Sequence, residues 1–195
     1  LLNDIRKGDY FERSLVEPSK KEKINVEFAQ PNTHKALHVG HLRNMVFGDS
    51  ICRILEYAGH DVVRATYPGD MGAHIAKSLW YIQAKLGGKL PTERHADWLG
   101  EVYAESDDYV KSVKDEAEQA KLKSEIGAIL RQLQAKSGPA YDLYKITREW
   151  SLTQMRKVYD WLNIPFDVWY FESDCDEPSR ELVVKKFEEG FFQKS

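Results

Sequence analysis

Apolar and polar positions along this chain change period several times. Ile24-Asn25-Val26-Glu27-Phe28-Ala29 alternates weakly, is rich in strand formers and stops at Gln30-Pro31, which predicts a first strand. From Leu42 the apolar residues fall at 42, 45, 46, 51, 54, 55 and 58, the spacing of a helix, and Gly59 is placed to close it with a left-handed cap. Val62-Val63-Arg64-Ala65-Thr66 predicts a second strand and Pro68-Gly69-Asp70 a turn. Ile75, Ala76, Leu79, Trp80 and Leu86 then mark a helix closed by Gly87-Gly88. Strand-helix-strand-helix at this spacing implies a right-handed parallel crossover.

After Gly88 the pattern changes. Residues from about 93 to 136 mix acidic and basic side chains, lack strand signals and follow Pro91, as expected of a solvated helical insertion at about 89–138. A long helix is predicted from about 140 to 162, a third strand from Ile164 to Phe171, and a short helix opened by Pro178 and closed by Gly190. The order β-α-β-α, helical insertion, α-β-α supports an α/β fold with a Rossmann-like parallel sheet interrupted by an excursion. Residues 1–23, ending in Lys20-Lys21-Glu22-Lys23, read as a lead-in or linker. Residues 24–195 form the domain proper.

Composition narrows the picture only slightly. At 195 residues the chain is long enough to bury a real core. A net charge of −3 gives no general electrostatic footprint for nucleic acid or membrane, so any such contact is local or lies in other parts of the protein. Two cysteines, Cys52 and Cys175, make no disulfide framework and no Cys-x-x-Cys pair, and a cytoplasmic setting is the default. The longest apolar runs are far short of a membrane span, and no secretory signal opens the chain. The chain begins at Leu1 rather than methionine, and an apolar run has just begun at Phe191-Phe192-Gln193-Lys194-Ser195. It is therefore expected to be a piece of a longer polypeptide, which start and stop codons at these positions would refute.

The candidate chemistry lies in the loops after the predicted strands, where an open parallel sheet binds ligands. The loop after the first strand carries His38-Val39-Gly40-His41 at the start of the predicted helix. A helix N-terminus offers unpaired N–H groups and partial positive charge to a phosphate. Imidazoles there can follow charge developing on a reacting phosphoryl group, and a glycine allows close approach. Asp70 after the second strand and Glu172 after the third come to the same edge. Blander readings stand beside these. Glu27 can face solvent, Asp70 can be a turn or cap residue, and Glu172 can be a surface carboxylate. His60, His95 and the charged insertion read as surface, whereas Trp80, Trp150 and Trp161 read as core. His34, His38 and His41 would share a face of a continuous helix and invite zinc. Pro31 and Gly40 break that helix and no carboxylate or thiol completes the set, so no metal site is expected.

Beyond the tetrapeptide, a longer run of residues resembles the catalytic core of arginyl-tRNA synthetases. It comprises Val26-Glu27-Phe28-Ala29-Gln30-Pro31-Asn32, Lys35, His38-Val39-Gly40-His41-Leu42-Arg43, Gly48-Asp49-Ser50, Val63-Arg64 and Gly69-Asp70-Met71-Gly72. Leu162-Asn163-Ile164, Phe166-Asp167-Val168 and Glu172-Ser173 extend it to about residue 190. The resemblance implies the first half of the class I synthetase nucleotide-binding fold. It also implies an arginine–tRNA ligase: ATP, with its Mg2+, and L-arginine give arginyl-adenylate and pyrophosphate, and the arginyl group then passes to a 2′-hydroxyl of tRNA(Arg). That tRNA would be held mainly by domains absent from this chain.

The same resemblance implies residue roles. His38 and His41 match the HIGH motif and would contact the ATP phosphates in the transition state, with His41 also near arginine. Gly40 would lie beside the adenine, Asp70 would serve ATP, and Lys35 would add charge where some members compensate for a weakened second motif. Asn32 would hold the backbone end of arginine, while Glu172 and Glu27 would supply the acidic pocket for its guanidinium, a planar fork suited to carboxylates. Met71 and His74-Ile75-Ala76 depart from the commonest family pattern, toward another branch. The second signature motif and the anticodon-binding and amino-terminal tRNA-contacting domains are missing, so the isolated chain is expected to aminoacylate little or nothing. Two alternatives remain open from the residues: another His-x-Gly-His nucleotidyltransferase, or a synthetase-like module without chemistry.

Overall fold

The computed structural model describes residues 2–8 and 15–192. Leu1 and Gln193-Lys194-Ser195, on which the reading of the chain's ends rests, lie outside the described residues, as does part of the expected lead-in. The described lead-in holds a short helix, α1 (Leu2–Lys7), and one 3-10 turn at Pro18–Lys20. Leu15 and Val16 donate their backbone N–H groups to the Ala58 carbonyl at 2.9 and 2.8 Å. The chain divides into two compact units.

The first unit comprises residues 1–30, 38–67 and 164–169. It contains β1 (Lys23–Glu27), α2 (Val39–Ala58), β2 (Asp61–Thr66) and β3 (Val168–Trp169). The three strands are parallel in the order β1-β2-β3, and Gly59 closes α2 at φ 110° in the left-handed conformation, as the pattern predicts. Phe28, 3 % exposed, packs where α2 has Gly48, and its ring centroid lies 4.7 Å from that of Phe166. Arg64 on β2 donates from Nη1 and Nη2 to both oxygens of Glu56 at 2.5 and 2.9 Å, and from Nε to Asp49 at 3.3 Å. These bonds fasten α2 to the sheet and hold the Glu56 carboxyl below its usual range, chiefly through the Arg64 hydrogen bonds.

The third strand is shorter than the predicted span of Ile164 to Phe171. Pro165 has no N–H to give a ladder. The Asp167 carboxylate accepts the Arg64 N–H at 2.8 Å where a strand carbonyl would otherwise stand. At the far end, Phe171 caps the following helix, which leaves Val168 and Trp169 paired with Ala65 and Thr66.

The second unit comprises residues 31–37, 68–163 and 170–195. Its helices are α3 (Ala73–Ala84), α4 (His95–Ser112), α5 (Glu116–Gln134), α6 (Pro139–Trp161) and α7 (Glu172–Glu188). The charged insertion is helical, but it is not a solvated excursion. Leu99 and Val102 of α4 and Leu122, Ile129 and Leu133 of α5 are buried with Ile75, Leu79 and Ile82 of α3 in one hydrophobic cluster. Its charges occupy the outer faces of amphipathic helices, the ordinary division of a packed helix. Two further expectations are corrected here. Trp161, at the last position of α6, is 78 % exposed rather than core. Pro178 lies inside α7 rather than opening it, because the helix starts six residues earlier, where Glu172 and Asp174 suit the positive end of the helix dipole.

Candidate active site

In the first unit, the start of α2 is built by its two imidazoles. His38 is the N-cap, in extended conformation, and its Nδ1 accepts the Gly40 N–H at 3.1 Å. In return His41 Nδ1 accepts the His38 N–H at 3.2 Å, and the two rings stack with centroids 3.9 Å apart. A Cβ on Gly40 would stand 2.9 Å from His38 Cε1, so any larger residue would have to move that ring. Since both Nδ1 atoms accept, each neutral ring carries its proton on Nε2. The helix entrance thus holds two ring N–H donors at the positive end of the helix dipole, a combination suited to an anion.

Just after β1, the backbone of Ala29 and Gln30 is left-handed, at φ 73° and 47°. Such conformations cost non-glycine residues roughly 1–2 kcal/mol each. Gln30 Nε2 donates to Glu27 Oε1. Glu27 itself is exposed at the end of β1.

In the second unit, two of the sequence-predicted site residues, Asn32 and Glu172, converge on Gly69. A Cβ on Gly69 would lie 2.3 Å from Asn32 Oδ1 and 3.5 Å from Glu172 Oε2, so the amide and the carboxylate flank one bare Cα. Thr33 ties the same segments, its N–H reaching the Gly69 carbonyl at 2.9 Å. Burial, more than any neighbour, pushes the Glu172 carboxyl up, and Asp70 and Asp176 add to this against a backbone hydrogen bond from Met71. A carboxylate so placed gains from an incoming cation.

Asp70 is the residue after Gly69 in the turn. It is fully buried, and its Oδ2 accepts from Arg148 Nε at 2.6 Å, Ser173 Oγ at 2.8 Å and Tyr144 Oη at 3.2 Å, while its Oδ1 accepts the Ser173 N–H at 2.8 Å. In this structure the carboxylate is taken up by these partners. It anchors the turn beside Gly69 and the start of α7 beside Glu172. Arg148 also lies over the Phe171 ring at 4.2 Å. Sequence reasoning missed Tyr144 and Arg148 and gave Ser173 no role of its own; the available signal for the first two was the polar run Tyr144, Thr147, Arg148, Ser151 at helical spacing within α6.

His34 is a buried structural group rather than a ligand. Its backbone is left-handed at φ 65°, and its Nε2 lies 2.8 Å from Thr147 Oγ1 and its Nδ1 3.1 Å from Thr33 Oγ1. Burial, with a smaller contribution from His74, lowers its pKa to about 3, so the ring is neutral. Lys35 is exposed, its Nζ 5.9 Å from the Tyr103 ring centroid. His74 faces Tyr103 edge-on at 6.4 Å, and its Nε2 is buried without a hydrogen-bond partner. Burial, then Lys77 and Lys35, lowers its pKa. Among the described residues no three metal-ligating side chains converge.

A parallel three-stranded sheet with a histidine-capped helix after its first strand fits a nucleotide-binding α/β domain. The family described as tRNA synthetases class I (R), catalytic domain, matches residues 10–195. An arginine–tRNA ligase of Bdellovibrio bacteriovorus is 44% identical over the whole chain, which covers 33% of that protein. Two solved structures are also similar. The arginyl-tRNA synthetase of Plasmodium falciparum aligns with TM-score 0.64 and 25% identity over 90% of this chain and 28% of its own. That of Thermus thermophilus aligns with TM-score 0.61 and 29% identity over 78% and 24%. The chain belongs to the class I arginyl-tRNA synthetase catalytic-domain family. It spans about a third of the length of the curated relatives it matches.

Proposed function

We propose that the complete gene product is an arginine–tRNA ligase and that this chain carries the arginine pocket and the first phosphate-binding elements of its active site. The observation that carries the reading is the meeting of Asn32, Gly69 and Glu172. A guanidinium or ammonium beside Glu172 offsets the burial that raises its pKa, and the Asn32 amide supplies a neutral polar contact at the same spot. Arginine's planar fork pairs bidentately with a carboxylate, and lysine would leave such bonds unmade. Glu27 is the second acidic group of this assignment.

In the reaction, an oxygen of the arginine carboxylate bonds to the α-phosphorus of ATP while the bond from that phosphorus to the bridging oxygen breaks, releasing pyrophosphate. Such a displacement needs alignment and charge stabilisation more than a protein nucleophile. The Nε2–H groups of His38 and His41, at the positive end of the α2 dipole, meet the phosphate charge as it develops. Gly40 keeps that surface low for the nucleotide, and Lys35 adds a positive charge. Magnesium accompanies ATP as its counter-ion. The second step transfers the arginyl group to the terminal adenosine of tRNA(Arg), with release of AMP. No helix among the described residues is long and apolar enough to cross a membrane, and the proposed setting is the cytoplasm.

The test is ATP–pyrophosphate exchange by the complete gene product, with tRNA present. Arginine-dependent exchange, lost in His41→Ala, supports the ligase. Exchange that ignores arginine rejects the ligase, and charging unchanged in His41→Ala removes the catalytic role of the loop.

A further inference from the structure

Four polar residues of α6, Tyr144, Thr147, Arg148 and Ser151, are spaced i, i+3, i+4, i+7 and therefore share one face. Two of them, Tyr144 and Arg148, hold Asp70. The other two hold His34: Thr147 Oγ1 at its Nε2, and Ser151 Oγ as acceptor of its backbone N–H at 2.9 Å. The Thr147 hydroxyl can point its proton at the carbonyls of Leu143 or Tyr144, at 3.0 and 3.2 Å. Its oxygen is then left to accept from His34 Nε2–H. His34 stands two residues after Asn32, and Thr33 between them bonds the Gly69 carbonyl.

We infer that His34 is a positioning residue for arginine: pinned by Thr147 and Ser151, it fixes Asn32 against Gly69 and Glu172. The inference rests on the arginine reading of that pocket. A loop whose left-handed residue is neutral, buried and bonded at both ring nitrogens has one arrangement, so Asn32 is placed before ligand arrives. The reach of the ring matters more than its charge. An amide nitrogen at the end of glutamine can replace Nε2, whereas alanine cannot.

The experiment compares Thr147→Val, His34→Ala and His34→Gln in the complete gene product, by exchange kinetics with arginine and ATP varied separately and by thermal unfolding. Thr147→Val keeps the side-chain shape and removes the hydroxyl that accepts from His34. The expected result is an arginine KM raised tenfold or more in Thr147→Val and His34→Ala, an ATP KM within threefold of the parent, and recovery to within threefold in His34→Gln. An arginine KM unchanged in Thr147→Val, or arginine and ATP KM values that rise together, overturns the positioning role and leaves the ligase reading intact. A parent protein without arginine-dependent exchange overturns both.

Discussion

Gly69 lies so close to Asn32 that a Cβ on its backbone would stand 2.3 Å from the Asn32 Oδ1. Gly69→Ala must therefore displace the amide, and overpacking of this kind costs roughly 1–3 kcal/mol. The expected outcome is an arginine KM raised about tenfold or more, with ATP affinity preserved, read from exchange kinetics with each substrate varied in turn.

At the start of α2, two effects of Gly40→Ala oppose one another. Alanine gains up to about 1 kcal/mol of helix propensity over glycine, while loss of the His38 cap costs about the same. Stability should change little. The new methyl displaces His38 from its place over the helix end, and losing a pre-placed donor of this type costs on the order of 100-fold in kcat. Melting curves and exchange rates together check this; an unchanged kcat would show that the ring position is irrelevant.

Gly48→Ala presents the opposite balance. The added Cβ would meet the Phe28 ring at 2.2 Å, and that clash, about 1–3 kcal/mol or more, exceeds the propensity gain. The melting temperature should fall. Phe28→Leu combined with Gly48→Ala should lose less than the sum of the two single changes, as a double-mutant cycle for residues in contact requires.

Acid should destabilise the second unit through His34. Its folded pKa of about 3 lies below the 6.5 of the unfolded chain, so as pH falls between these values the unfolded state takes up a proton that the native state refuses. The stability present above pH 6.5 is lost at up to about 1.4 kcal/mol per pH unit. Urea unfolding between pH 7 and pH 4 should show a steeper loss in the parent than in His34→Gln.

The helix entrance with His38, Gly40 and His41 was legible because its chemistry is local: cap, glycine and both rings lie within four residues. The first two strands and α2 were legible for the same reason, and Gly59 ended α2 as its position indicated. The third strand was misjudged because Asp167 replaces a ladder bond with its side chain, which hydropathy does not register. The insertion was misjudged because plentiful surface charge masked Leu99, Val102, Leu122, Ile129 and Leu133 at helical spacing. Asp70 was recognised as a turn residue, but its partners Tyr144, Arg148 and Ser173 lie 74, 78 and 103 residues away, beyond any local pattern.

The burial of α4 and α5 against α3 also has a consequence in time. Those helices follow one another along the chain, so their core closes through short loops, which is quick. The bond from Arg64 to Asp167 spans 103 residues, and Glu172 comes just behind that late-arriving strand. Folding is therefore expected to settle the helical core first and to bring Glu172 to Asn32 last. A nascent chain would be compact well before these two side chains met.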